Sequence, residues 1–152
     1  MLRGIPPLLH PEFLQVLAAM GHGDELAIVD SNFPAASHAR RLIAATGADA
    51  PAVLDAVLRL LPLDTFVEPA AFTMEVVGAP EDVPAPVADF AAVFTRHGLA
   101  DAEIGRLPRA DFYARTRDAF AVVRTGELRP YGNILLVKGV LNEPAHVPAE
   151  AP

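Results

Sequence analysis

The 152-residue sequence contains no cysteine. That excludes a disulfide framework, a thiolate zinc site and a cysteine nucleophile, and it fits a reducing compartment. Positive charge is scarce: 12 Lys+Arg stand against 19 Asp+Glu, a net charge of −7. The basic residues do not cluster, so a phosphate backbone is repelled and nucleic acid is not an expected partner. A neutral or cationic substrate fits better. Long apolar runs are also missing. The short ones are broken by Asp, Arg, Gly or Pro, far below the ~20 residues a bilayer demands. Gly4, Pro6 and Pro7 interrupt the opening MLRGIPPLLH, which therefore does not read as a signal peptide. No membrane partner and a cytoplasmic location are expected. Familiar catalytic motifs are absent too: no Gly-rich dinucleotide fingerprint, P-loop, HExxH or GxSxG elbow occurs.

What is present is a well-patterned globular chain. Its length suits one domain that buries about 70% of its unfolded surface. Hydrophobic residues reach 52%, high enough to point to an oligomer. Pro11 to Met20 (PEFLQVLAAM) predicts a helix, with Pro11 at the first helical position and Gly21 as the stop. Leu26 to Val29 (LAIV) is short and wholly apolar, the signature of a strand buried on both faces. Arg41 to Thr46 predicts a second strand, and Pro51 to Leu61 a helix in which Asp55 and Arg59 pair across one turn. A strand at Ala71 to Val77, a helix at Pro86 to His97 and a strand at Ile104 to Leu107 follow. After them come a helix at Asp111 to Asp118 and strands at Phe120 to Arg124 and Ile134 to Val137. Alternating strands and helices predict an α/β fold, a three-layer α/β/α sandwich with a mainly parallel sheet. The domain is placed at residues 1–141. The Pro- and Ala-rich residues 142–152 read as a disordered tail.

Four places carry candidate chemistry. His22, between Gly21 and Gly23 just past a helix end, has little bulk around it. An imidazole gives or takes a proton near neutral pH; at a helix C-terminus it can also simply complement the helix dipole. Asp30 follows the strand LAIV, and open α/β sheets bind ligands at strand carboxyl ends. It can hold sugar hydroxyls or close an Asx-turn. Tyr131-Gly132-Asn133 precedes the last strand. It offers a phenol, a site of close backbone approach and an amide that both donates and accepts. Arg109 can clamp hydroxyls or stay solvated. The five histidines are scattered, so no metal site and no cofactor are expected. Together these groups describe a polar pocket with one proton carrier, suited to a small polyhydroxy substrate.

Two ordered blocks carry a resemblance. MGHGDELAIVDSNFP, within Leu2 to Pro34, and FYARTRDAFAVVRTGELRPYGNILLVKGV, Phe112 to Val140, resemble the ribose pyranase/fucose mutarotase family. GHGD and NFPA favour its fucose mutarotase branch. The resemblance implies an α/β/α protomer in a ring, a homodecamer of two pentamers, with sites completed across subunit junctions. It implies His22 as the catalytic acid and Asp30, Arg109, Tyr131, Gly132 and Asn133 as sugar-binding positions. The implied activity is an isomerase that interconverts the α and β anomers of a reducing monosaccharide, L-fucose above all, by acid/base ring opening without a cofactor. A ribose pyranase-like isomerase and a non-catalytic sugar-binding accessory of uptake are the alternatives. Ser31 and Val137 depart from the usual family pattern and bear on sugar preference.

Overall fold

A computed structural model describes residues 2–141. Its elements are α1 (Pro11–Ala19), β1 (Glu25–Val29), α2 (Ala35–His38), β2 (Leu42–Ala45), α3 (Ala50–Leu58), β3 (Ala71–Met74), α4 (Ala85–Arg96), β4 (Ile104–Leu107), α5 (Arg109–Asp118), β5 (Ala121–Thr125) and β6 (Ile134–Val137). Six strands form one sheet in the order β2-β5-β1-β6-β3-β4. The tail expected at 142–152 lies outside the described residues. Among those described, no helix is long and apolar enough to cross a membrane.

The apolar run LAIV becomes the sheet's centre because both of its faces are covered. Leu26 and Ile28 join Phe13 and Leu17 of α1, Leu54 and Val57 of α3, and Phe90 and Phe94 of α4. Ala27 and Val29 point the other way, toward Ala35 of α2 and Phe112 of α5. The three expected layers follow from that alternation. At the sheet edge, β2 exposes Leu42 and Ala44 and buries Ile43 and Ala45, as a strand covered on one face should.

The sheet is mainly parallel, with one reversal. β1 pairs in parallel with β5, β5 with β2, and β3 with β4, whereas β6 is antiparallel to both β1 and β3. The reason is chain length. A parallel return needs a crossover of a dozen residues or more, and only Gly126 to Asn133 connect β5 to β6. Because β1 lies between these two strands, the connector must step over the C-terminal end of β1. The expected strand at Ala71 to Val77 stops at Met74, and the short α2 was not anticipated within the Pro34-flanked loop. α5 starts two residues earlier than its spacing suggests, with Pro108 at its N-cap.

α3 is capped by Asp49, whose side chain accepts from the Ala52 amide at 2.9 Å. Asp55 lies 3.6 Å from Arg59, as expected, and also meets Arg96 at 3.5 Å and His97 at 3.1 Å on α4. Burial pushes the Asp55 carboxyl up, but His97, Arg59 and Arg96 together outweigh it and hold the group below its ordinary range. A depressed carboxylate stabilises above its unfolded pKa and loses that contribution as pH falls through the folded one. Asp55→Asn is therefore expected to cost under about 1 kcal/mol at pH 7, the range of exposed pairs. Its cost should shrink as pH falls below the ordinary carboxylate value and vanish only below the depressed folded one; urea unfolding over a series of acidic pH values checks this. Leu54→Ala, at a fully buried position between α3 and the sheet, should lower unfolding free energy by about 2–5 kcal/mol in the same assay.

Candidate active site

Asp30 closes β1, and the β5–β6 connector arrives directly above it. The Asp30 amide donates to Asn133 Oδ1 at 2.9 Å, and Asn133 Nδ2 donates to Asp30 Oδ2 at 2.9 Å. Asp30 Oδ1 accepts from the amides of Asn32 at 2.9 Å and Phe33 at 3.0 Å. Asp30 thus closes the Asx-turn and also lines the crevice at the end of β1. Both Asp30 and Asn133 are buried, and their mutual bonds leave Asn133 one N–H to offer. Gly132 sits behind them: a Cβ there would fall 2.6 Å from Glu127 Cγ. Its close packing shapes the turn, and it is not among the residues that line the neighbouring cavity.

Tyr131 holds φ at 63°, the left-handed region that costs a bulky residue roughly 1–3 kcal/mol. Its hydroxyl accepts from the Val77 amide at 3.1 Å, so its own proton is free to donate. Arg109, the first residue of α5, is exposed and makes no ion pair among the described residues. A cation at a helix N-terminus opposes the helix dipole, so local stability does not explain its presence. A cavity of about 220 Å³ gathers Asp30, Asn32, Arg109, Tyr131 and Asn133 on its polar side. Phe33, Met74, Tyr113 and Pro130 complete it. The Phe33 and Tyr113 rings meet edge to face at 4.9 Å. Tyr113 stands one helical turn after Arg109, a spacing that places both on one face of α5.

His22 lies elsewhere. It precedes β1, whereas Asp30 follows it, and a strand of that length separates the two by roughly 15 Å or more. A single pocket within one protomer, holding all the candidate groups, is not what forms. At the His22 end, Lys138 pairs with Gly23 and Asp24 on one side and with Leu63 on the other. Gly139 permits this: a Cβ would lie 2.4 Å from the Leu63 carbonyl oxygen. That bridge carries Asp64 to the imidazole, with Asp64 Oδ1 3.1 Å from His22 Nε2.

The Phe66 amide donates to the same Asp64 oxygen at 3.0 Å. That bond, with the hydrogen bond and charge of His22, holds the Asp64 carboxyl below its ordinary range against the opposing effect of burial. An ionised carboxylate only accepts, so Nε2 carries the proton and Nδ1 is the nitrogen left to react. His22 is 45% exposed, whereas Asp64 is buried, and the Phe66 ring stands 5.3 Å from the imidazole. Asp64 had no signal in the sequence, since 42 residues separate it from His22. Tyr113 had one, its spacing from Arg109. Among the described residues, no three His, Asp or Glu side chains converge to hold a metal ion.

The model of the RbsD / FucU transport protein family matches residues 3–141. A human protein named fucose mutarotase is 46% identical over 146 residues, covering 92% of this chain and 94% of that one. An L-fucose mutarotase from Glaesserella parasuis serovar 5 (strain SH0165) is 43% identical, covering 92% and 96%. The crystal structure of the fucose mutarotase from Streptococcus pneumoniae in complex with L-fucose superposes with a TM-score of 0.86 at 41% identity. It covers 92% of this chain and 99% of that one. With matches of this identity spanning residues 3–141, the chain belongs to the RbsD / FucU transport protein family.

Proposed function

We propose that the protein is a mutarotase that interconverts the α and β anomers of a reducing monosaccharide, L-fucose foremost, by acid/base opening and reclosure of the sugar ring. The observation that carries this reading is the cavity in which Asp30, Arg109, Tyr131 and Asn133 face an apolar wall of Phe33, Met74 and Tyr113. The polar side suits ring hydroxyls. The apolar side suits a C–H face and the methyl group of a 6-deoxy sugar. The similar proteins named fucose mutarotase point to the same substrate.

Anomer exchange needs a proton delivered to the ring oxygen and one removed from the anomeric hydroxyl. The aldehyde end then rotates, and reclosure reverses both transfers. His22 Nδ1 serves one transfer, with Asp64 holding the ring and favouring the imidazolium that forms. The free proton of the Tyr131 hydroxyl, or a water, serves the other. Asp30, Arg109 and Asn133 hold the hydroxyls. No step calls for a metal or an organic cofactor.

His22 and the cavity occupy opposite ends of β1, so the reading requires a second copy of the chain to join them. Phe66 and Val67 are exposed at the His22 end, and Val77 and Leu128 are exposed beside the cavity. Two different apolar patches at opposite ends suit a head-to-tail contact, which closes into a ring. A cytoplasmic homodecamer of two pentamers is the assembly we assign, with one copy's His22 reaching into its neighbour's cavity. The rival is a non-catalytic accessory of sugar uptake, a role in keeping with the family's description as transport proteins.

Saturation transfer between anomeric proton signals, over fucose, ribose and galactose, separates these readings. Catalysed exchange fastest with fucose is expected; line broadening without exchange would establish the accessory, and ribose preference the pyranase-like enzyme. His22→Ala should lower the catalysed rate by about 10²–10⁴-fold with the assembly intact, and Asp64→Asn should recover only part of wild-type exchange. A wild-type rate in His22→Ala would refute the proton carrier. Mixing tests the shared site. His22→Ala and Arg109→Glu, each inactive alone, should regain about a quarter of wild-type activity when unfolded and refolded together, because a quarter of junctions pair an intact histidine with an intact cavity. No recovery in mixed assemblies would exclude a site built from two copies.

A further inference from the structure

The groups that hold the sugar depend on a turn whose shape is imposed from outside the cavity. Tyr131 is in the left-handed region, and Gly132 is pressed against Glu127 Cγ. The far end of the turn is tied down by Asn133 on Asp30. The near end is tied down by Glu127, a residue that touches no candidate ligand group. Its carbonyl accepts from the Ser31 amide at 2.9 Å. Its side chain is 4% exposed, and its carboxylate is engaged by one arginine. Arg129 donates from its amide and from Nε to Oε1, at 3.0 and 2.9 Å, and from Nη2 to Oε2 at 2.9 Å. The remaining arm, Nη1, reaches Asp89 on α4 at 2.7 Å.

This arrangement is a planar fork on a buried carboxylate, doubled by a main-chain bond two residues away. A bidentate guanidinium fixes orientation as well as charge, which an ammonium cannot do. Arg129, with additional help from the Ala50 amide, keeps the Glu127 carboxyl below its ordinary range despite burial. Without the guanidinium, a nearly inaccessible charge loses two of its donors, and relief requires the turn to shift. Gly132 rests on Glu127, so displacement there moves Tyr131 and Asn133 with it.

We propose that Arg129 is a positioning residue for the sugar cavity, its clamp on Glu127 and its anchor on Asp89 holding the Pro130–Asn133 turn in the shape that presents Tyr131 and Asn133 to the ligand. The kinetic part of this inference rests on the mutarotase reading above. Arg129 neither lines the cavity nor touches the His22–Asp64 pair, so its loss weakens sugar binding and leaves the His22 proton transfer in place, with water taking over the transfer that Tyr131 serves. Binding lost equally from ground and transition states raises KM and spares kcat; a residue that served only stability would lower the unfolding midpoint and leave KM alone.

The experiment compares wild type, Arg129→Ala, Arg129→Lys and Asp89→Asn as full-length assemblies, with fucose exchange rates measured over a range of concentrations. Arg129→Ala should raise KM about tenfold or more with kcat within about threefold. Arg129→Lys, which keeps the charge and loses the fork, should fall between it and wild type. Asp89→Asn, which removes only the outer anchor, should raise KM less than either. A KM within about twofold of wild type in Arg129→Ala, or a loss confined to kcat, overturns the proposal. Arg129→Lys carries the same test if the alanine variant does not fold. A second measurement needs no sugar. Amide hydrogen exchange over residues 127–133 should quicken about tenfold or more in Arg129→Ala while α3 keeps its protection; unchanged exchange refutes the clamp. A wild-type protein that turns over no sugar, with exchange quickened as expected, would sink the mutarotase reading and leave the clamp standing.

Discussion

The reciprocal pair between Asp30 and Asn133 is the constraint from which the ligand end of the molecule follows. Asp30 ends the central strand and Asn133 begins the reversed one, so their two hydrogen bonds fix where the connector touches down. Hydrogen bonds to a charged group contribute about 1.5–3 kcal/mol each, and a buried carboxylate stripped of them is costlier still. The pair thus sets register between β1 and β6 at the place where a sugar would bind. The other Asp30 oxygen secures the turn into Phe33, so one carboxylate organises both walls of the cavity.

Around that pair the chain breaks several local preferences. Tyr131 holds a backbone conformation that suits glycine. Arg109 sits at the wrong pole of a helix. His22 leaves its ring partly open to solvent beside an exposed phenylalanine. Each would be easy to relieve by substitution if stability were the only demand. They are concentrated at two places and not through the core, the pattern that functional demands leave on a fold. The core keeps to the expected pattern: Leu26 to Val29 of β1 are apolar on both faces, and the helices turn apolar residues onto them.

The sequence was informative where burial alone decides structure. LAIV and ILLV read as strands because a segment covered on both faces has no polar position to fill. The reversal of β6 was not legible, since direction depends on which strands its connector spans. Of the site, Asp30, Arg109, Tyr131 and Asn133 were legible individually, each at an element boundary. What spacing could not convey was their separation from His22, which follows from strand order and length. Asp64 and Arg129 were hidden for a related reason. Asp64 owes its place to a bridge at Lys138. Arg129 was hidden because its importance lies in what it grips.

The same topology explains why His22 and the cavity lined by Asp30 and Asn133 cannot meet within one chain. Ligands of open α/β sheets collect at strand carboxyl ends, where loops splay and leave a crevice. The cavity obeys that rule. His22 stands at the opposite end of β1, a place no motion within a packed protomer can exchange for the other without unmaking the sheet. On the mutarotase reading proposed above, two copies would have to come together head to tail. That arrangement has a chemical benefit. A solitary cavity is open to bulk water, which competes for every hydrogen bond to the sugar, whereas a neighbour's surface closed over it strengthens those bonds by excluding water. On that same reading, the Phe66 ring beside His22 and the exposed Val77 and Leu128 would seal the sugar from water.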